Sequence, residues 1–453
     1  LKKVLILVAD SLNYEDIKDI KADIVKPLTP NAPYTAAATF SILYGRPVSH
    51  IFWPDGGPDL LKEAFPSQYR KEGALELIPK LARKISEISI VESLKRNGVK
   101  TIVLNYMGSP PVSQPNSFNY RFGPDEYGNK KVSTNINSFL FQLYNKMLEA
   151  MLGKYKYHTD LIAGNWVVTR PIAKAVLSSK LYSFHADTIK DGLIRSLKEL
   201  DGNVFVYAHI LSPHLPYECG FKDTMYSLFH FIYSTTVYTS SKLTPRTISE
   251  LKEFYETDFR EFFLGDEIIR RVKKAYLHCV GQVKEMFYEL SEELSEWTLI
   301  LTSDHPEYFW DSGYEGFLSH PEHLPLNPKK VPMIVSNPID DMDDIKSQIG
   351  ISKYVLRTFG IDKVKVYDYD HTESICYKRV RKRECNFWAI STGNGVYYYG
   401  SDDDGNLKEF VVGNVDMDYI ERVKEETKKE REKIWSRIRL KIRVGRRLHR
   451  HAR

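Results

Sequence analysis

Two polar residues stand where a folded chain would do chemistry. The first is Asp10, which follows the apolar run Val4-Leu5-Ile6-Leu7-Val8-Ala9. Such a run, without alternation, reads as a fully buried strand of a parallel sheet. Ligands in open α/β sheets bind just beyond the C-terminal ends of strands, and Asp10 sits there. The second is Thr35, which opens Thr35-Ala36-Ala37-Ala38-Thr39-Phe40-Ser41-Ile42-Leu43-Tyr44-Gly45-Arg46. Thr35 suits the N-cap of this alanine-rich helix, and Gly45 suits a left-handed stop. A hydroxyl at a helix N-terminus lies beside free N–H groups and the positive end of the dipole. That is an anion site with a nucleophile in it. Taken singly, Asp10 could be an ordinary turn residue and Thr35 only a cap.

Positioning such groups takes a layered scaffold, and the chain reads as one. Ser89–Asn105 holds a helix closed by Asn97-Gly98 and then a short strand. Ala186–Leu200 is a helix, and Asn203–Ala208 is a strand that runs into His209-Ile210-Leu211-Ser212-Pro213-His214-Leu215-Pro216-Tyr217. Ile268–Glu296 is a long amphipathic helix, and Trp297–Thr302 is a strand ending in Ser303-Asp304-His305. Lys330–Val335 is a further strand, followed by a helix over Gly350–Gly360. Alternating strands and helices predict an α/β fold around one parallel sheet covered on both faces. Residues 12–34 read as a connection and 47–73 as a loop. Residues 106–180, with an amphipathic helix near Phe139–Leu152, and 222–262 read as insertions over the mouth of the site. From about Asp362 the texture changes, with strand-like Asn386–Ser391 and Gly395–Tyr399 and a turn at Asp402–Gly405.

The bulk numbers set limits. The chain has 453 residues, 42% hydrophobic and 27% charged, enough for a large core. Its four cysteines lack zinc-ribbon or redox spacing and cannot form a disulfide framework for this length. No apolar stretch is long enough to span a bilayer, and no leader pattern is present, so the expected location is the cytoplasm. Net charge is +5, yet residues 433–453 carry nine Lys/Arg and no Asp/Glu, so the body is mildly acidic. That tail alternates too poorly to favour a strand over a helix. It could be a solvated end, or it could rest on an anionic membrane surface. Nucleic acid is disfavoured as a partner.

A strand ending in Asp, then a hydroxyl residue ten positions before Gly45-Arg46, resembles the alkaline phosphatase superfamily. The sulfatase-like branch has the pattern nucleophile, Ala/Ser-rich helix, then leucine, Thr or Tyr, Gly, Arg. Leu43-Tyr44-Gly45-Arg46 matches that ending and puts Thr35 on the nucleophile position. The resemblance covers roughly residues 3–360. It implies a three-layer αβα sandwich around a mostly parallel sheet, with a small antiparallel C-terminal subdomain. The implied domains are a catalytic unit over 1–361, a β-rich subdomain over 362–415 and a basic helical tail over 416–453.

Further residues carry over from the resemblance. Asp304-His305 falls on the family's metal-binding Asp-His pair. With Asp10 and Thr35 it would form one metal site. Ser212-Pro213-His214-Leu215-Pro216-Tyr217 is similar to the His-x-Pro-Tyr segment of sulfatases and lipid phosphoethanolamine transferases. His320 stands eleven residues before Val331-Pro332, the family's spacing for its last active-site His, with His323 close enough to compete. The implied metal ligands are thus Asp10, Thr35, Asp304, His305, His214 and His320. His209 is either a ligand or a structural support for His214. Carboxylates with imidazoles suit Zn²⁺ or Mn²⁺, and less clearly Mg²⁺ or Ca²⁺, as one ion or two. The implied activity is metal-dependent hydrolysis or transfer of phosphate esters through a phospho-enzyme on Thr35, with His214 or His320 aiding the leaving oxygen. A glycan or a lipid head group would be the ester's other part.

Two departures matter. Sulfatases need Cys or Ser, followed by Pro-Ser-Arg, to make formylglycine; here Thr35 is followed by Ala36-Ala37-Ala38-Thr39. That disfavours a sulfatase and matches phosphodiesterases and phosphoglycerol or phosphoethanolamine transferases. Pro306 replaces the Gly expected after Asp-His, which is expected to shift that loop. The alternative readings are a sulfatase in the broad family sense and a non-catalytic binding protein on the same fold.

Overall fold

The computed structural model describes residues 1–52, 64, 74–106, 120–122, 186–214, 217, 245, 247–256, 265–309, 324–325, 327–339, 343–380 and 383–451. His320, His323, the helix expected near 139–152 and most of 106–180 and 222–262 lie outside these residues.

The strand β1 (Lys3–Ala9) is buried at every position. Among the described residues it is the middle of a seven-stranded sheet, as an uninterrupted apolar run should be. Its parallel neighbours are β5 (Val204–Ile210) and β6 (Thr298–Thr302). Beyond β5 follow β3 (Lys100–Tyr106) and β4 (Tyr120–Phe122), also parallel. On the other side β7 (Val331–Ser336) runs antiparallel to β6, and β2 (Ile24–Leu28) pairs antiparallel with β7 at the edge. The sheet is therefore mostly parallel.

β2 lies inside the stretch expected to be only a connection. Its signal is weak because it is half-exposed and contains Pro27, which has no N–H to donate. Pro27 faces Pro332 across the β2–β7 ladder, so two donors are missing at one rung. An edge strand tolerates this.

Alternate β1 side chains divide the core. Val4, Ile6 and Val8 face α1 (Thr35–Tyr44), α2 (Ala74–Lys84), α3 (Ile90–Arg96) and a later helix over Gln348–Thr358. Leu5, Leu7 and Ala9 face α4 (Ala186–Lys198) and α6 (Asp266–Glu293), while α5 (Ile248–Glu256) lies between them in the chain and sends Phe254 to the same cluster. The Gln348–Thr358 helix is α7. Small residues at Ala36, Ala37 and Ala38 are all buried, which lets α1 approach closely. α1 ends at Gly45 with φ 62°, where a Cβ would lie 3.2 Å from Val366 Cγ2.

The second sheet is an antiparallel meander of β8 (Thr372–Val380), β9 (Arg383–Ser391), β10 (Gly395–Ser401) and β11 (Leu407–Gly413). Trp388, Ile390 and Tyr397 join the core on the α1 side, while Phe387, Ala389 and Tyr398 pack with Ile248 and Leu251 of α5. The last described element is one helix, α8 (Met417–His451), which continues through the stretch after Arg437 where the sequence favoured neither strand nor helix. Ile434, Trp435 and Ile438 enter the α1-side core, and Trp435 Nε1 donates to the Ile51 carbonyl at 3.0 Å. The start of the basic stretch is thus packed and not frayed. Among the described residues no helix is long and apolar enough to cross a membrane.

Candidate metal centre

Three adjacent central strands, β6, β1 and β5, run parallel and end together. Val8 is in register with both Thr302 and His209. Asp10, two residues past Val8, and Asp304, two past Thr302, therefore emerge side by side. His209 lies in β5 itself, and its neighbour Tyr207 belongs to the α1-side core. Strand alternation puts His209 on that same face.

All four groups are buried. Asp10, Asp304 and His305 have no exposed surface, and His209 has 1%. Ligand atoms of Asp10, His209 and Asp304 lie within 4.8 Å of one another. His209 Nε2 is 3.7 Å from Asp10 Oδ2 and 3.8 Å from Asp304 Oδ2. His305 Nε2 is 3.5 Å from Asp10 Oδ1 and 3.5 Å from Asp304 Oδ2. The two carboxylates are thus flanked by two imidazoles.

The remaining lone pairs and protons are tied down behind the site. Asp304 Oδ1 accepts the Ser11 N–H at 3.1 Å and the His305 N–H at 2.9 Å. The Ser11 hydroxyl donates to Asp10 Oδ1 at 3.0 Å. Leu12 N–H donates to Ser303 Oγ, which in turn donates to the His305 carbonyl, each at 2.7 Å. His305 Nδ1 lies 3.1 Å from the Pro306 carbonyl, which can only accept. Nδ1 therefore donates there, and Nε2 is the ring nitrogen that faces the carboxylates. Pro306 supplies that carbonyl without moving Asp304-His305 out of the site.

Thr35 is the first helical residue of α1, not its N-cap; Tyr34 occupies the cap position and makes no side-chain cap bond. The Thr35 hydroxyl is among the groups that hold the Asp304 carboxyl low. α1 has no acidic residue in its first turn, so no carboxylate of its own neutralises the dipole there.

Electrostatics follow from this crowding. Burial, and then Asp304, raise the Asp10 carboxyl well above the usual range, against the Ser11 hydroxyl. Burial also pushes Asp304 upward, but His305, His209, the Thr35 hydroxyl and the Ser11 amide outweigh it and hold Asp304 low. Burial lowers His209 to about 4, so its imidazole is neutral near pH 7. Two buried carboxylates this close resist ionising together unless a cation lies between them.

The donor set fits a divalent metal. Asp10 Oδ2, Asp304 Oδ2 and His209 Nε2 are buried and have no hydrogen-bond partner among the described residues, yet they converge. Carboxylate oxygens together with a neutral imidazole nitrogen are donors that divalent cations take.

Of the residues singled out in sequence, Asp10, Thr35, Asp304 and His305 come together. His214 sits half-buried on the turn after β5, its N–H donating to the Leu211 carbonyl at 2.7 Å. It is not part of the Asp10–His209–Asp304 group. His209, left between ligand and support by the sequence, is part of it. Glu307 was not foreseen: it is buried, its N–H donates to Asn13 Oδ1 at 2.8 Å, and burial lifts its carboxyl to about 8 against the Tyr217 hydroxyl. Gln348 was not foreseen either. Nothing in residue type or local spacing distinguishes either one.

No protein-family model and no curated protein matches the sequence. Solved structures similar to this chain include a 2-O GAG sulfatase, at 9% identity over 98% of this chain and 94% of that one, with a TM-score of 0.47. Others are the lipoteichoic acid synthase LtaP from Listeria monocytogenes, at 13% over 98% and 92%, with a TM-score of 0.43, and a protein in the alkaline phosphatase superfamily from Vibrio parahaemolyticus, at 13% over 96% and 88%, with a TM-score of 0.44.

Proposed function

We propose that this chain is a metal-dependent hydrolase or transferase of phosphate esters, of the sulfatase-like branch of the alkaline phosphatase superfamily, with Thr35 as nucleophile. One observation carries the reading. A hydroxyl on the first turn of α1 lies against Asp304, beside converging buried donors of Asp10, Asp304 and His209. Asp10, Asp304, His305 and Thr35, with His209, would hold a divalent cation, which when bound lowers the hydroxyl pKa and neutralises charge on the transferring group.

The chain's own residues then have defined tasks. The N-terminal amides of α1 orient the phosphate ester, helped by the dipole. Thr35 Oγ attacks phosphorus in line; the Oγ–P bond forms as the bond to the leaving oxygen breaks. The Thr35 proton is released to water as the bond to phosphorus forms, and His214 gives a proton to the leaving oxygen. Water or an acceptor hydroxyl then takes the phosphoryl group, and Thr35 regains its proton. A threonine cannot become formylglycine, which argues against sulfate ester hydrolysis. The ester's other part is a glycan or a lipid head group. The basic end of α8 would suit an anionic membrane surface where such lipids lie.

The test is turnover of bis-p-nitrophenyl phosphate, p-nitrophenyl phosphate and p-nitrophenyl sulfate with added Mn²⁺ or Zn²⁺. Phosphodiester hydrolysis lost in Thr35→Ala supports the reading. Full turnover by Thr35→Ala, or preference for the sulfate, overturns it.

A further inference from the structure

Gln348 is fully buried at the first position of α7, and each of the three hydrogen bonds of its carboxamide goes to a segment that carries a proposed site residue. Oε1 accepts the Asn31 N–H at 2.8 Å. Nε2 donates to both the Ser303 and the Asp304 carbonyls, the latter at 2.8 Å. One side chain therefore links the segment between β2 and Thr35 with the loop that presents Asp304 and His305. Those segments have no sequence proximity to each other or to Gln348.

The surrounding bonds make the link rigid. The Gln348 N–H donates to the Thr29 carbonyl at 3.2 Å, and Asn31 Oδ1 accepts the Ile349 N–H at 2.6 Å. Asn31 thus exchanges bonds with two successive residues of α7. Behind them, the Ser352 hydroxyl donates to the Ile42 carbonyl near the end of α1. α7 holds α1 at one point and the Asp304 loop at another, and Gln348 joins the two.

We infer that Gln348 is a positioning residue that sets the separation between Thr35 and the Asp304-His305 pair, and with it the affinity of the site for its metal. The inference rests on the reading of this site as a metal centre. Residues that orient metal ligands from behind alter affinity by about 10–100-fold when removed. A buried glutamine that served stability alone would lower the melting temperature and leave affinity intact.

The experiment measures Mn²⁺ binding to the full chain by calorimetry, with folding checked by circular dichroism. Gln348→Met keeps the volume and removes all three side-chain hydrogen bonds. Ile351→Val, a buried core change in the same helix, is the control for general loosening. The expected result is binding about 10–100-fold weaker in Gln348→Met and within about twofold of wild type in Ile351→Val. Gln348→Met binding within twofold of wild type, or an equal loss in Ile351→Val, overturns the inference while the metal reading stands. Wild-type protein that binds neither Mn²⁺ nor Zn²⁺ overturns the metal reading itself, and the inference with it. If Gln348→Met does not fold, Gln348→Glu decides by the same measure, since it keeps the acceptor for Asn31 and loses the donors to Ser303 and Asp304.

Discussion

The Ser11 N–H reaches Asp304 Oδ1 at 3.1 Å across 293 positions of sequence, and it does so because Ser11 has a left-handed backbone, with φ 64°. That turn lets the chain leave β1 with its amides facing β6. A non-glycine residue in this region costs roughly 1–2 kcal/mol and persists where surroundings over-determine it.

Ser11→Gly should relieve that cost and lose one hydrogen bond, worth about 1 kcal/mol, so the two nearly cancel. Ser11→Val should cost about 2 kcal/mol or more, because a β-branched side chain is poorly tolerated at positive φ. Urea unfolding of both variants measures the contrast. Equal stability of the two would show that the Ser11 conformation is not held in solution.

Asp10 and Asp304 should give opposite signs with and without metal. Removing one carboxylate by Asp10→Asn relieves repulsion between buried like charges. The metal-free variant is therefore expected to melt no lower than metal-free wild type. Added Mn²⁺ or Zn²⁺ should raise the wild-type melting temperature, by about 2.7 kcal/mol of stability at 100 times the dissociation constant. The same addition should leave Asp10→Asn unchanged. Thermal shift assays, with and without chelator, read both effects.

His50 offers a stability test away from the site. It is fully buried, lies edge-on to Tyr367 with ring centroids 4.5 Å apart, and neither nitrogen has a hydrogen-bond partner among the described residues. Burial, then Arg46, Lys365 and His371, hold its pKa well below the ordinary histidine value. The folded state thus keeps His50 neutral while the unfolded chain takes up a proton below about pH 6.5. The unfolded state binds more protons there, so stability falls as pH drops, by up to about 1.4 kcal/mol per pH unit. His50→Phe should flatten the slope between about pH 6 and pH 5 by that amount relative to wild type. Urea unfolding at several pH values would detect it.

α8 should divide sharply between its two faces. Trp435→Ala should destabilise by about 3–5 kcal/mol, since a buried aromatic and its bond to Ile51 are lost. Leu440→Ala, at a side chain 63% exposed, should stay within about 0.5 kcal/mol. Arg437 and Arg439 are exposed, so reversing both to Glu should leave the fold intact and weaken pelleting with anionic liposomes. Deleting the tail from Lys433 would remove core side chains as well and would confound that measurement.

Much of this protein was determined by its sequence alone. Uninterrupted apolar runs at Val4–Ala9, Val204–Ala208 and Leu299–Leu301 can be satisfied only by burial on both faces, so the central parallel strands were legible. Asp10 was legible because it directly follows such a run, Asp304 because the pair Asp304-His305 closes the strand that ends at Thr302, and Thr35 because it heads an alanine-rich helix that ends at Gly45. Other features were decided by tertiary structure. The role of His209 depends on its register with Val8, which is a contact between distant strands. β2 depends on an edge position beside β7 that excuses its proline, and the last helix on a surface that receives Trp435. Gln348 carries no local signal at all. Its carboxamide matters only because folding brings Asn31, Ser303 and Asp304 within hydrogen-bonding distance of it, and such bonds between distant segments leave no periodicity in the chain.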